Sequence, residues 1–139
     1  MQTNRRGQII HRNRAQQIND FSGIRYGKIT PTDIDGLIEY KDKAYILFEL
    51  KYKDTELPFG QRLALERTTD NLTYQGKTTL CIISSHNIEN CKKDVPVAET
   101  IVREYRYKGK RYVPTTSITT KELSDSFIHA IANGREWVF

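Results

Sequence analysis

The order of apolar runs and turn signals predicts an α/β fold, a mixed central sheet of about five strands flanked by helices. Short apolar runs of strand length occupy Gly36–Tyr40, residues 44–51 and residues 78–84. Longer stretches beginning near Pro58 and Thr119 space their apolar residues for one helix face. The resulting order, helix, strands, helix, strand, hairpin, helix, suits a sheet with helices against it.

Each element has a local reason. Residues 8–21 carry Ile10, Ala15, Ile18 and Phe21 at helix-like spacing, and Ser22-Gly23 breaks the stripe. A short extended stretch at 24–29 leads to Pro31, which favours a turn. Gly36–Tyr40 and residues 44–51 form a hairpin around Lys41-Asp42-Lys43. Pro58 suits a first helical position, where its missing N–H costs nothing. Phe59, Leu63, Leu65 and Leu72 supply that helix's inner face and Gly76 its stop. Leu80-Cys81-Ile82-Ile83 centres a buried strand. Residues 98–107 and 110–113 read as a hairpin turning at Lys108-Gly109. Thr119 and Glu122 match the capping-box pattern ahead of Leu123, Phe127, Ala130 and Ile131, and Asn133-Gly134 ends the helix. Trp137-Val138-Phe139 is apolar enough to pack onto the sheet or a partner chain.

A length of 139 residues fits one domain spanning 1–139, with a basic segment at about 1–14. No apolar stretch approaches a membrane span, and the first residues lead into no signal-peptide core. Cys81 and Cys91 are too few for a zinc site or disulfide framework, which points to a reduced, cytoplasmic protein. His11, His86 and His129 lack metal-ligand spacing, and neither a Gly-rich phosphate loop nor a Gly-x-Ser-x-Gly elbow occurs.

The net charge of +5 and a pI of about 9.2 favour a polyanionic partner. Arg5, Arg6, Arg12 and Arg14 crowd the N-terminus. Arg103, Arg106, Lys108, Lys110 and Arg111 interleave with Tyr105, Tyr107 and Tyr112. Phosphates attract such cations, and exposed bases can stack on such rings. The competing reading is an edge hairpin kept soluble by its charge.

The chemistry concentrates where Glu49-Leu50-Lys51 closes the run Ala44-Tyr45-Ile46-Leu47-Phe48. A strand's period of two puts Glu49 and Lys51 on one face. Asp35 opens the preceding strand, and hairpin pairing brings it level with Glu49. Two hard carboxylates suit Mg²⁺, which fills its other positions with water and substrate phosphate, and Mn²⁺ would substitute. Asp33, two residues before Asp35, is a substitute for it as the first metal ligand. Glu49 and Lys51 could instead be a solvated ion pair, but a continuously apolar run before Glu49 predicts burial, costly unless paired or metal-bound.

Asp35, the hairpin, Glu49-x-Lys51 and a following helix bearing Gln61 resemble the PD-(D/E)XK nuclease superfamily, over roughly residues 28–72. The resemblance implies a restriction-endonuclease-like core. It also implies the backbone carbonyl of Leu50 as a third metal ligand and Gln61 as a contact of the water or metal shell. Lys51 would orient or deprotonate the attacking water, or stabilise charge on the phosphate. Many relatives carry an acidic residue on the first helix. Here that segment offers Gln16, Gln17, Asn19 and Asp20.

The expectation is a Mg²⁺-dependent endonuclease of DNA, including branched or structured DNA, acting as a homodimer or within a larger assembly, as the resemblance implies for a core too small to carry a specificity domain. A non-catalytic nucleic-acid-binding or inhibitory protein that keeps the fold is the alternative, and an RNA-processing nuclease a third. Catalysis falls to Asp35, Glu49, Lys51 and Gln61.

Overall fold

In a computed structural model, residues 6–139 are described. The chain divides into a unit up to Thr32 and a unit from Asp33 to Phe139. The basic segment is thus part of a unit that runs well past residue 14.

In the first unit the helix expected at 8–21 is confined to α1, Arg12–Ala15. His11 caps it without a side-chain hydrogen bond, no acid sits in its first turn, and none of its residues is buried. Ile10, Ile18 and Phe21 are all exposed. Helices draw most of their stability from packing an apolar face, so a weak stripe with nothing against it does not propagate. The stretch at 24–29 is a turn closed by a bridge between Tyr26 and Ile29, with Gly27 at φ +63°.

The second unit contains β1 (Gly36–Tyr40), β2 (Ala44–Tyr52), α2 (Phe59–Tyr74), β3 (Thr78–His86), a 3₁₀ turn (Val97–Glu99), β4 (Ile101–Tyr107), β5 (Lys110–Tyr112) and α3 (Thr120–Ala132). The five strands lie in chain order in one open sheet. β2 and β3 are parallel, joined through α2, and the other pairs are antiparallel. The architecture is α/β with a mixed sheet, as expected.

Strand alternation divides the core. Ala44 and Ile46 with Leu80 and Ile82 face α3, and Leu123 and Phe127 of that helix, with Trp137 beyond its end, complete the larger cluster. Leu47 and Cys81 face α2 and pack on Leu65, Leu57 and Leu72. Burial pushes the Cys81 thiol up to about 11, so it behaves as a small apolar residue. Phe59 is 77% exposed, against expectation, because it precedes the turn at which α2 settles on the sheet. Pro58 sits one position before the helix, as its N-cap.

Both long helices end in a Schellman turn. The Lys77 N–H bonds the Leu72 carbonyl and the Arg135 N–H the Ala130 carbonyl, with Gly76 and Gly134 at positive φ. At the start of α3, Thr119 and Glu122 form both halves of the capping box. Behind it Thr120 Oγ1 lies 2.6 Å from both Ser84 Oγ and Thr100 Oγ1, a buried hydroxyl cluster tying α3 to β3. Trp137 is buried edge-on against Phe127 and Tyr107, whereas Val138 and Phe139 are exposed. Among the described residues, no helix is long and apolar enough to cross a membrane.

Candidate functional site

β1 and β2 pair with Gly36 opposite Phe48, so one more step of the register sets Asp35 opposite Glu49. Gly36 lies over the Phe48 ring, where an added Cβ would come within 3.2 Å. A small residue here lets the strand start close to β2. Asp35 Oδ2 accepts the Leu50 backbone amide at 2.7 Å, holding this exposed carboxylate at the strand entrance.

Glu49 and Lys51 fall on the α2 side of the sheet with Leu47. Glu49 is 2% exposed. The first turn of α2 carries Gln61 over them. Gln61 Nε2 donates to Glu49 Oε1 at 2.9 Å, Lys51 Nζ donates to Gln61 Oε1 at 3.1 Å, and Lys51 Nζ stands 3.3 Å from Glu49 Oε1. The three side chains close a triangle that also fixes the amide orientation, since only one flip serves both a carboxylate and an ammonium.

Glu49 Oε2 is buried with no hydrogen-bond partner. The hydroxyls of Thr79 and Ser124 share that condition, but an orphaned carboxylate oxygen is far more costly. Burial, followed by the nearby Asp35 charge, raises the Glu49 carboxyl above its ordinary range, while Lys51 and Gln61 oppose the rise. A carboxylate with one oxygen satisfied, one orphaned and a second carboxylate beside it fits a divalent cation with oxygen ligands. The fit is with two protein carboxylates, since no cluster of three or more His, Cys, Asp or Glu side chains could hold a metal among the described residues. Asp33 is exposed and takes no part in this network.

Beside Glu49 in the sheet stands Ile83, which borders a hollow of about 320 Å³ with Glu56, Leu57, Arg62, Arg103 and Glu104. A hollow of about 360 Å³ lies farther along β3, around His86, Pro96 and Thr100. The first lies on the same face of the sheet as Glu49, one strand over.

The basic hairpin differs from the expected open cationic arm. Arg106 reaches back to α2, with both Asp70 oxygens at 2.7–2.8 Å and Glu66 at 3.1 Å. Arg62 pairs with Glu104, and Arg111 stands 3.7 Å from the same residue. Lys108 pairs with Glu136 at 2.7 Å. A register shift between Ile83 and Ser84 makes Arg103 the extra residue of β4, and its guanidinium donates to the Thr55 and Lys53 carbonyls. Lys110 is exposed. Of the N-terminal arginines, Arg5 lies outside the described residues, Arg6 and Arg12 belong to the first unit, and Arg14 bonds the Gln17 side chain.

The sequence does hold the signal for this network. Arg62, Glu66 and Asp70 recur every four residues on one face of α2. Glu104 and Arg106, two apart on β4, face them with complementary signs. The chain matches no family model, no curated protein and no solved structure.

Proposed function

We propose that the chain is a Mg²⁺-dependent endonuclease of the PD-(D/E)XK type, hydrolysing phosphodiester bonds in DNA, branched or structured DNA included. One observation carries the reading: a buried glutamate with an orphaned oxygen, beside a second carboxylate and in a triangle with a lysine and a glutamine. A purely structural role gives no reason to bury Glu49 with Asp35 nearby, because the two charges oppose each other.

Asp35, Glu49 and, by the resemblance, the Leu50 carbonyl would hold the ion. When bound, Mg²⁺ lowers the pKa of a coordinated water and offsets charge on the scissile phosphate. Lys51 does the rest from the protein side. Gln61 holds its ammonium at 3.1 Å, so the charge is aimed before substrate arrives. From there Lys51 orients the attacking water or stabilises the phosphate oxygens. Gln61 acts through Lys51 and Glu49, as a positioning residue.

A cleavage panel tests the reading: linear, nicked, flapped and four-way DNA, and RNA, each with Mg²⁺, Mn²⁺ or EDTA. The expected result is metal-dependent cutting of DNA. Cutting of RNA alone would move the activity to RNA processing, and no cutting at all would leave a binding protein.

A further inference from the structure

The chain's entire net charge of +5 lies before Asp33. Residues 1–32 hold six cations, Arg5, Arg6, Arg12, Arg14, Arg25 and Lys28, against Asp20 alone. Residues 33–139 hold sixteen Lys and Arg against sixteen Asp and Glu, a net charge of zero. The division of charge coincides with the division into two units.

Within the second unit the charges cancel, and half of the sixteen cations are ion-paired. Lys53, Arg62, Lys77, Arg106, Lys108 and Arg111 each have a carboxylate partner. An ion-paired cation contributes little to counterion release, because its own partner already neutralises it. Two arginines of the first unit are held differently. Arg14 donates to the Gln17 amide oxygen and Arg25 to the Gly27 carbonyl, both neutral acceptors that leave the positive charge in place. The one acid, Asp20, is engaged by Ser22. Every described residue of this unit is exposed, including Tyr26 at 74% and Phe21 at 37%.

We propose that the basic segment before Asp33 is the element that holds nucleic acid, supplying most of the affinity, and that the β4–β5 hairpin is structural. Arg14, Arg25 and Lys28 would track phosphates, and Tyr26 and Phe21 would stack on bases. An anionic membrane surface would require an amphipathic helical face, whereas α1 has four residues. The inference takes its partner from the nuclease reading but does not depend on cleavage.

The test uses the full chain with EDTA present, measuring binding to a 5′-labelled duplex of about 30 base pairs, three turns of B-form helix, by fluorescence anisotropy at several salt concentrations. Arg14→Ala/Arg25→Ala/Lys28→Ala should lower the slope of log affinity against log salt by up to about three, roughly 0.9 per phosphate contact. At 0.1 M salt the loss is about two orders of magnitude. Arg14→Lys/Arg25→Lys keeps the charge and should keep the slope, which separates electrostatics from misfolding. Lys108→Ala/Lys110→Ala/Arg111→Ala should change the slope by less than about one. The proposal is overturned by an unchanged slope in the N-terminal alanine variant, by an equal loss in the hairpin variant, by loss of binding in the lysine variant, by wild type that does not bind, or by tighter binding to phosphatidylserine vesicles than to DNA. A protein that binds as described but never cuts would end the nuclease reading alone. One that cuts while the N-terminal alanine variant binds normally would end this proposal alone.

Discussion

Asp35 and Leu50 are joined by a 2.7 Å hydrogen bond from the Leu50 backbone amide to Asp35 Oδ2, which plants a carboxylate beside Glu49. The bond crosses the hairpin at the position where β1 begins. Its effect is electrostatic as well as structural: after burial, the Asp35 charge is what most raises the Glu49 carboxyl above its ordinary range.

That coupling predicts a pH-dependent stability. The Glu49 carboxyl is raised by burial and by Asp35, so the folded state binds its proton more tightly than the unfolded state. Stability from this group is therefore present in acid and falls as pH rises from the ordinary glutamate range through the folded value. On the proposed reading Mg²⁺ would compete with that proton, so its stabilising effect should be absent in acid and grow with pH. Glu49→Gln should raise the melting temperature of the metal-free protein at pH 8 by about 2–5 °C and remove its response to Mg²⁺. Differential scanning fluorimetry across pH, with and without Mg²⁺, checks both; a Mg²⁺ response that persists in Glu49→Gln places the metal elsewhere.

The two aspartates should separate cleanly. Asp35→Asn should lose cleavage at least a hundredfold, with binding within a few-fold. Asp33→Asn should stay near wild type, because Asp33 stands exposed and outside the network. Single-turnover rates decide it. A larger loss at Asp33 would reverse the assignment of the first ligand.

Lys51→Ala should abolish cleavage while DNA affinity holds. Gln61→Ala should slow cleavage about 10- to 100-fold, the scale typical of residues that orient a metal site. If Gln61→Ala is silent, the triangle with Glu49 and Lys51 is packing and no more.

The Glu49 hairpin was readable because a strand's alternation and a short turn leave one register that buries the apolar face. Lys51 followed from the same alternation, whereas Gln61 came only from the resemblance to the nuclease superfamily. The helix expected at 8–21 was not realised: Ile10 and Ile18 have helical spacing but nothing to pack against, and spacing cannot reveal a missing partner. Arg106 misled for a related reason. Composition counts charges but not their partners, and Asp70 lies 36 residues away in sequence. Reading α2 and β4 together, by their complementary signs, would have found the pair.

Arg106 accordingly belongs to stability. Arg106→Ala should cost about 1–2 kcal/mol in urea unfolding, a charge-assisted bidentate pair discounted for its partial exposure. Asp70→Ala should cost somewhat less, because Arg106 keeps Glu66, and the double variant little more than Arg106→Ala, since both changes remove the Arg106–Asp70 pair. Costs that simply add would show that the two residues act independently.

The most direct test of the account is single-turnover cleavage of a labelled DNA substrate by wild type and Glu49→Gln across a Mg²⁺ titration, with binding measured in parallel. The account predicts saturable, Mg²⁺-dependent cleavage by wild type, none in EDTA, and a loss of at least a thousandfold in Glu49→Gln with affinity unchanged. Wild-type protein that binds DNA without cutting it in Mg²⁺ or Mn²⁺, or a Glu49→Gln variant that cuts as well as wild type, would contradict it.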